Sequence, residues 1–193
     1  PKVSQRLLEF NRQWERSGSS VNHQVEKVSL EFDLTRDRDG FCSPSVFLFL
    51  KPFVELQRSD DRFKALVDGF LFLLTGSKTT KKMWAAIEDL AMISGGATVE
   101  NLGVMTARKA GPLRMVIVDL PLDRAVAMAR HIAPEKSAAS IEGLLSNIAE
   151  WSDTFVVDAD FLDDSISSRI GIECYPKRSD DSAVDWRSFL YRF

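Results

Sequence analysis

The 193-residue chain has few of the residues that mark a chemistry. Its two cysteines, Cys42 and Cys174, are far apart and in no CxxC spacing. That excludes a zinc-ligand set and a disulfide framework. With no signal-peptide pattern at the start, it favours a reducing cytoplasm. Long apolar runs are also missing. The longest, such as Phe70–Leu74, stop at five residues, against the roughly 20 needed to cross a bilayer, so no membrane span is expected. Neither sign of charge dominates: 25 Lys and Arg stand against 28 Asp and Glu, a net charge of −3, which gives no pull toward nucleic acid. Lys78, Lys81 and Lys82 are mixed with threonine and read as a solvated helix start. The chain opens at Pro1 without a methionine and stops at Phe193, which leaves open that it is part of a longer protein.

Motifs for nucleotides and metals are missing as well. Gly76-Ser77-Lys78-Thr79 has the end of a phosphate loop, but Ser77 parts the glycine from the lysine and a helix precedes it where a strand is needed. Gly95-Gly96 precedes a strand, the reverse of a dinucleotide fingerprint. The acid cluster Asp158, Asp160, Asp163, Asp164 begins like an EF-hand loop. Leu162 then takes a ligand position, Asp163 replaces the turn glycine and Arg169 replaces the final glutamate. It reads as a strand end entering an acidic turn. No metal and no cofactor are expected. For nucleophilic catalysis only Cys42, Cys174, a serine, His23 and His131 are available, and no spacing joins a nucleophile to a base.

What is present is patterning. Hydrophobic residues are 45% and charged residues 27%, ordinary for a soluble globular chain with a real core. Leu7, Phe10 and Trp14 share a helical face in 4–16, with Ser4 as N-cap and Gly18-Ser19-Ser20 as the stop. From Val25 the period falls to two: Val28, Leu30, Phe32 and Leu34 alternate with Lys27, Ser29, Glu31 and Asp33, a strand with one buried face. After a polar turn at 36–40, Ser45–Lys51 reads as a more buried strand bounded by Pro44 and Pro52. Phe63, Leu66, Val67, Phe70, Leu71 and Leu74 form the clearest helical stripe, with Ser59 as cap and Gly76 as stop. A second helix, capped near Thr80, carries Met83, Trp84, Ile87, Leu90 and Ala91. Residues 98–120 are two strands joined by a turn at 109–112. Pro121 opens a helix with Leu122, Ala125, Val126 and Ala129, and another runs from about Ser137 to Trp151. Thr154–Phe161 and Arg169–Tyr175 are strands around a turn at 163–168, and Trp186, Phe189, Leu190 and Phe193 return to helical spacing.

The order is α, ββ, αα, ββ, αα, ββ, α, an αββα repeat of elements rather than of residues. The expected fold is α+β: about six strands in an antiparallel hairpin meander, with helices mainly on one face. Residues 1–193 are expected to form a single domain, with 94–97 as a possible place to divide it into two subdomains and two sheets.

Alternation sorts the strand residues. One face carries Leu30, Phe32, Leu34, Leu102, Val104, Leu113, Met115, Ile117, Phe155, Val157, Phe161, Ile170 and Ile172, and goes to the helices. The other has an apolar middle (Phe47, Phe49, Val116) with Glu31, Arg114, Asp158, Asp160, Glu173 and Tyr175 around it. Two readings of that face stand: a sheet surface covered by a loop or neighbouring subunit, or a concave pocket with Arg114, Glu31, Glu173 and Tyr175 as polar ligand-binding anchors. Glu31 and Glu173 could act as an acid–base pair only if the outer strands curl together.

The element order resembles the ABBA prenyltransferases, in topology alone. That resemblance implies αββα units wrapped as an antiparallel barrel around an isoprenoid diphosphate and an aromatic acceptor. Three units give about six strands against that family's ten, and only Arg114 and Tyr175 match its array of phosphate-binding residues. Two functional classes follow. The first is a ligand- or partner-binding protein using the non-helical sheet face, for a small apolar or aromatic ligand or a protein partner. The second is an enzyme of ABBA-like architecture acting on an aromatic small molecule or peptide, with Arg114 as anion anchor and Glu31 or Glu173 as hydrogen-bond acceptor or base.

Overall fold

The computed structural model describes residues 3–32, 44–55, 61–106 and 113–175. Asp33 and Leu34, the turns at 36–40 and 109–112, Cys42, Ser59 and the closing helical segment at 186–193 lie outside them. The described elements are α1 (Val3–Glu15), α2 (Ser20–Gln24), β1 (Val25–Glu31), β2 (Ser45–Glu55), α3 (Asp61–Thr75), α4 (Lys81–Ser94), β3 (Thr98–Val104), β4 (Leu113–Leu120), α5 (Leu122–Ile132), α6 (Glu135–Ile148), β5 (Phe155–Phe161) and β6 (Ile166–Cys174).

The six strands form one sheet in the order β1-β2-β3-β4-β5-β6, with every neighbour antiparallel. The fold is therefore α+β with a meander sheet. β2 pairs with β3 across the break at Ser94–Gly96, so the strands form one sheet and not two. Each of the five pairings carries a register shift. An extra residue in one strand bends it and raises its twist, so shifts in every pair curl the sheet.

The helices and one sheet face share a single core. Val46, Leu48, Leu102, Val104, Leu113, Met115, Ile117, Phe155, Val157, Ala159 and Phe161 are fully buried against the stripes of the helices. In α3 these are the six residues that the spacing selects, Phe63 through Leu74. Phe10 of α1 packs on Phe70 of α3, ring centroids 5.9 Å apart. The Thr80 side chain accepts from the Met83 amide and caps α4, and Gly95 ends it with φ 73°, a left-handed conformation that costs glycine little. Thr80 Oγ1 also donates to the carbonyl of Asp163 and ties α4 to the β5–β6 turn. Lys64 of α3 pairs with Glu88 of α4 at 2.9 Å, and Arg130 of α5 with Glu142 of α6. Among the described residues no helix is long and apolar enough to cross a membrane.

Several expectations shift. α1 starts at Val3, so Ser4 lies inside its first turn rather than capping it. The segment after Gly18 is not simply a loop: Ser19 accepts from the Asn22 amide at 3.0 Å and starts the short α2, which carries His23. Pro52 does not end β2. The strand runs on to Glu55 through a register shift, and β1 pairs with it only as far as Leu50, so the missing N–H at Pro52 faces no β1 partner. Pro121 and Pro134 stand just before α5 and α6, which puts α6 at 135–148 rather than 137–151. β6 starts at Ile166 because the turn is tighter than expected, closed by the Leu162 amide donating to the Ser165 carbonyl at 2.8 Å. Leu30 and Phe32, given by alternation to the core, are about half exposed (49% and 48%). Leu30 does face the helix side opposite Val46, but β1 is an edge strand and is fully covered only at Val25, beside α2.

Candidate functional site

The face away from the helix core is organised in cross-strand rows. Register places Ser29, Phe47, Gly103, Arg114 and Asp160 side by side, one from each strand β1 to β5. The next row is Lys27, Phe49, Asn101, Val116, Asp158 and Gly171, which crosses all six strands. The two glycines sit where larger neighbours fold over them. A Cβ at Gly103 would come within 2.5 Å of the Phe47 ring, and one at Gly171 within 2.8 Å of the Asp158 carboxylate. Small residues on this face leave room for the sheet to bend toward it.

The bend is large. Laid flat, strands about 4.8 Å apart would hold β1 and β6 about 24 Å from each other. Yet Ser29 and Glu31 of β1 and Glu173 of β6 line the same concavity as Phe47, Arg114 and Asp158, and its volume is about 600 Å³. A hollow of that size is within the range of small-molecule sites. Tyr175 lines it just beyond β6, so Glu31, Arg114, Glu173 and Tyr175, the four anchors expected from sequence, come together here. Glu31 and Glu173 line the hollow from the two outer strands. A second depression, of about 510 Å³ beside the end of α1, is lined by Glu9, Arg12, Gln13 and residues 16–19. Most of those side chains are exposed, and none buries an unpaired polar atom.

Arg114 is the electrostatic centre of the concavity. Nε and Nη2 donate to the two oxygens of Asp160 at 2.7 and 3.0 Å, a bidentate pair with its cross-strand neighbour. Nη1 stands 3.5 Å from Asp158 Oδ2. The guanidinium is held above its ordinary pKa, first by the hydrogen bond to Asp160, against burial, with the charges of Asp160, Asp158 and Glu31 adding to the rise. Asp158 moves the other way from a simple ion-pair partner. Burial pushes its carboxyl up, Arg114 opposes this, and the charges of Glu173, Asp160 and Glu31 push it further up. The disagreement between the two partners has a geometric cause. Asp160 holds the arginine's fork, so Asp158 is the surplus acid. The Tyr175 hydroxyl donates to Glu173 at 3.1 Å, and that bond, with the Glu173 charge, raises the phenol. At the β1 edge the Lys27 ammonium lies 4.8 Å from the centroid of the Phe49 ring.

Two site residues escaped the sequence reading. Alternation puts Asn101 on the face of Gly103, but nothing in the sequence marks its amide as buried beside Val116. The sequence offers Asp158 only as one of several acids, since its surplus depends on which acid lies opposite Arg114. The remaining candidates are elsewhere. His23 and His131 are exposed on α2 and α5. Cys174 pairs with Phe155, packs against the helix core and has its thiol raised by burial. Asp163 and Asp164 are exposed in the β5–β6 turn, and among the described residues no three His, Cys, Asp or Glu side chains are grouped to hold a metal.

No family model, curated protein or solved structure matches the chain.

Proposed function

We propose that the protein binds a small, partly apolar ligand in the concave face of its sheet and works in the cytoplasm, where a half-buried free thiol such as Cys174 is stable. The observation that carries the binding reading is the gathering of residues from all six strands, or the turns beside them, around one 600 Å³ hollow. Phe47, Phe49 and Val116 supply an apolar floor, and a few polar groups stand around it, the usual makeup of such sites. An anion such as a diphosphate suits the hollow poorly, because Asp160 already holds the fork of Arg114 and the other charged groups lining it are carboxylates. This favours the binding reading over a prenyl-transfer enzyme.

The test is ligand-observed NMR with a library of small aromatic fragments, on the protein and on a Val116→Trp variant that fills the floor. Fragments should bind the protein and lose binding in the variant, with circular dichroism unchanged. Binding that persists in a folded variant, or no binding at all, would overturn the reading.

A further inference from the structure

Donors and acceptors are out of balance in the concavity. Asp160 takes two N–H groups of Arg114, and Asp158 has only the longer approach at 3.5 Å, on its Oδ2. Asp158 Oδ1 is buried without a hydrogen-bond partner, and so is Oδ1 of Asn101. Asn101 is 8% exposed and sits in the same row as Asp158, on the other side of Val116. Its amide orientation is settled by its neighbour: Nδ2 donates to Glu100 at 3.3 Å, and a turned amide would point its oxygen at a carboxylate. Native proteins leave few buried polar atoms unpaired, and two in one hollow point to something that brings donors. The charge count agrees. Four carboxylates line the hollow (Glu31, Glu100, Asp158, Glu173) against one guanidinium, already paired, and the Lys27 ammonium over Phe49 at the β1 edge.

Resting on the concave face being a ligand site, we infer that its ligand is an organic cation, an ammonium or guanidinium on an apolar or aromatic body. The cationic head is taken by Asp158 beside Glu173. The body lies over Val116 toward Phe47 and Phe49, and a hydroxyl or second N–H on it meets Asn101. A cation there would offset the crowding of negative charge and the burial that now push the Asp158 carboxyl up.

Three phenols of similar size separate charge from shape: tyramine, its neutral isostere tyrosol and the anionic 4-hydroxyphenylacetate, each titrated calorimetrically into the protein. Tyramine should bind at least ten-fold tighter than tyrosol, with 4-hydroxyphenylacetate weakest. Asp158→Asn should erase the tyramine preference and leave tyrosol unchanged. If that variant does not fold, Glu173→Gln, a change at an exposed side chain, should still cost tyramine several-fold and tyrosol nothing. Equal binding of the three, tighter binding of the anion, or a preference that survives both substitutions overturns the cation assignment and leaves the concave site standing. If none of the three binds while neutral fragments do, the assignment again falls alone. If fragments fail as well, both fall.

Discussion

The two faces of the sheet are built from the same strands and obey different rules. On the helix side, β4 and β5 present Leu113, Met115, Ile117, Phe155, Val157, Ala159 and Phe161, all fully buried and all apolar. One residue over, the same strands present Arg114, Val116, Val156, Asp158 and Asp160. Shape complementarity alone fills the first face, and burial there adds about 25 cal/mol per Å² of apolar surface removed from water. The second face buries charge, keeps two acceptors unpaired and puts glycine beside phenylalanine. Those features cost stability, and nothing in the packing of the helices calls for them. The contrast separates what holds the fold from what the fold holds.

The comparison breaks most directly at its strongest point. Phe161 pairs with Leu113 and Ile166 on the helix side and is fully buried. Phe161→Ala should destabilise by about 3–5 kcal/mol, the loss for emptying a core aromatic, read from urea unfolding. A cost below about 1 kcal/mol would mean that this side is not a close-packed core. Next comes the charged centre of the other face. Arg114→Met keeps the volume and removes the charge beside Asp160, whose side chain is 5% exposed. The expected cost is about 3 kcal/mol, the low end for breaking a buried pair, because Arg114 itself is 20% exposed. Adding Asp160→Asn should restore part of the loss. If Arg114→Met is neutral, the guanidinium is not what holds this face together.

The faces were not equally legible in the sequence. The helix side is a one-body pattern: each stripe of α3, α4 and α5 and each alternation in β4 and β5 can be read without knowing what it packs on. The same pattern singled out Arg114, Glu31, Glu173 and Tyr175 as the odd residues of the second face. Their meeting depends on curvature, and curvature comes from register shifts such as those at Glu26 and Glu100, which no local period records. Pairing was also out of reach. Asp158 and Asp160 are equivalent by alternation, and only the β4–β5 register sets Asp160 opposite Arg114. The exposure of Leu30 and Phe32 follows from β1 being an edge, which is a property of the whole sheet and not of the strand.

A smaller effect belongs to the helix layer. Thr80→Ala removes the cap of α4 and its tie to the β5–β6 turn. It should cost about 1 kcal/mol and leave fragment binding in the concavity unchanged, since the cap does not line it. A loss of binding in the folded Thr80→Ala protein would show that the two sides of the sheet are coupled more tightly than their separate packing implies.

The least of the expected effects has the opposite sign. Asp158 faces one cation, Arg114, and three other acids, Glu173, Asp160 and Glu31, and burial is the first cause that pushes its carboxyl above the ordinary value. A carboxyl with a raised folded-state pKa binds its proton more tightly in the fold than in the unfolded chain. Ionised, it therefore destabilises the fold, fully so above its folded pKa. The cost fades as the pH falls through that pKa and is gone below the unfolded value, about 3.9. Asp158→Asn removes the charge and keeps the shape, so it should raise the urea midpoint at pH 7. The gain should shrink steadily toward pH 4, whereas the deficit of Phe161→Ala should hardly change. Should the substitution destabilise at pH 7, the attraction between Arg114 and Asp158 outweighs the burial and the repulsion. Asp158 would then be a structural partner of Arg114 and not a spare acceptor facing the hollow.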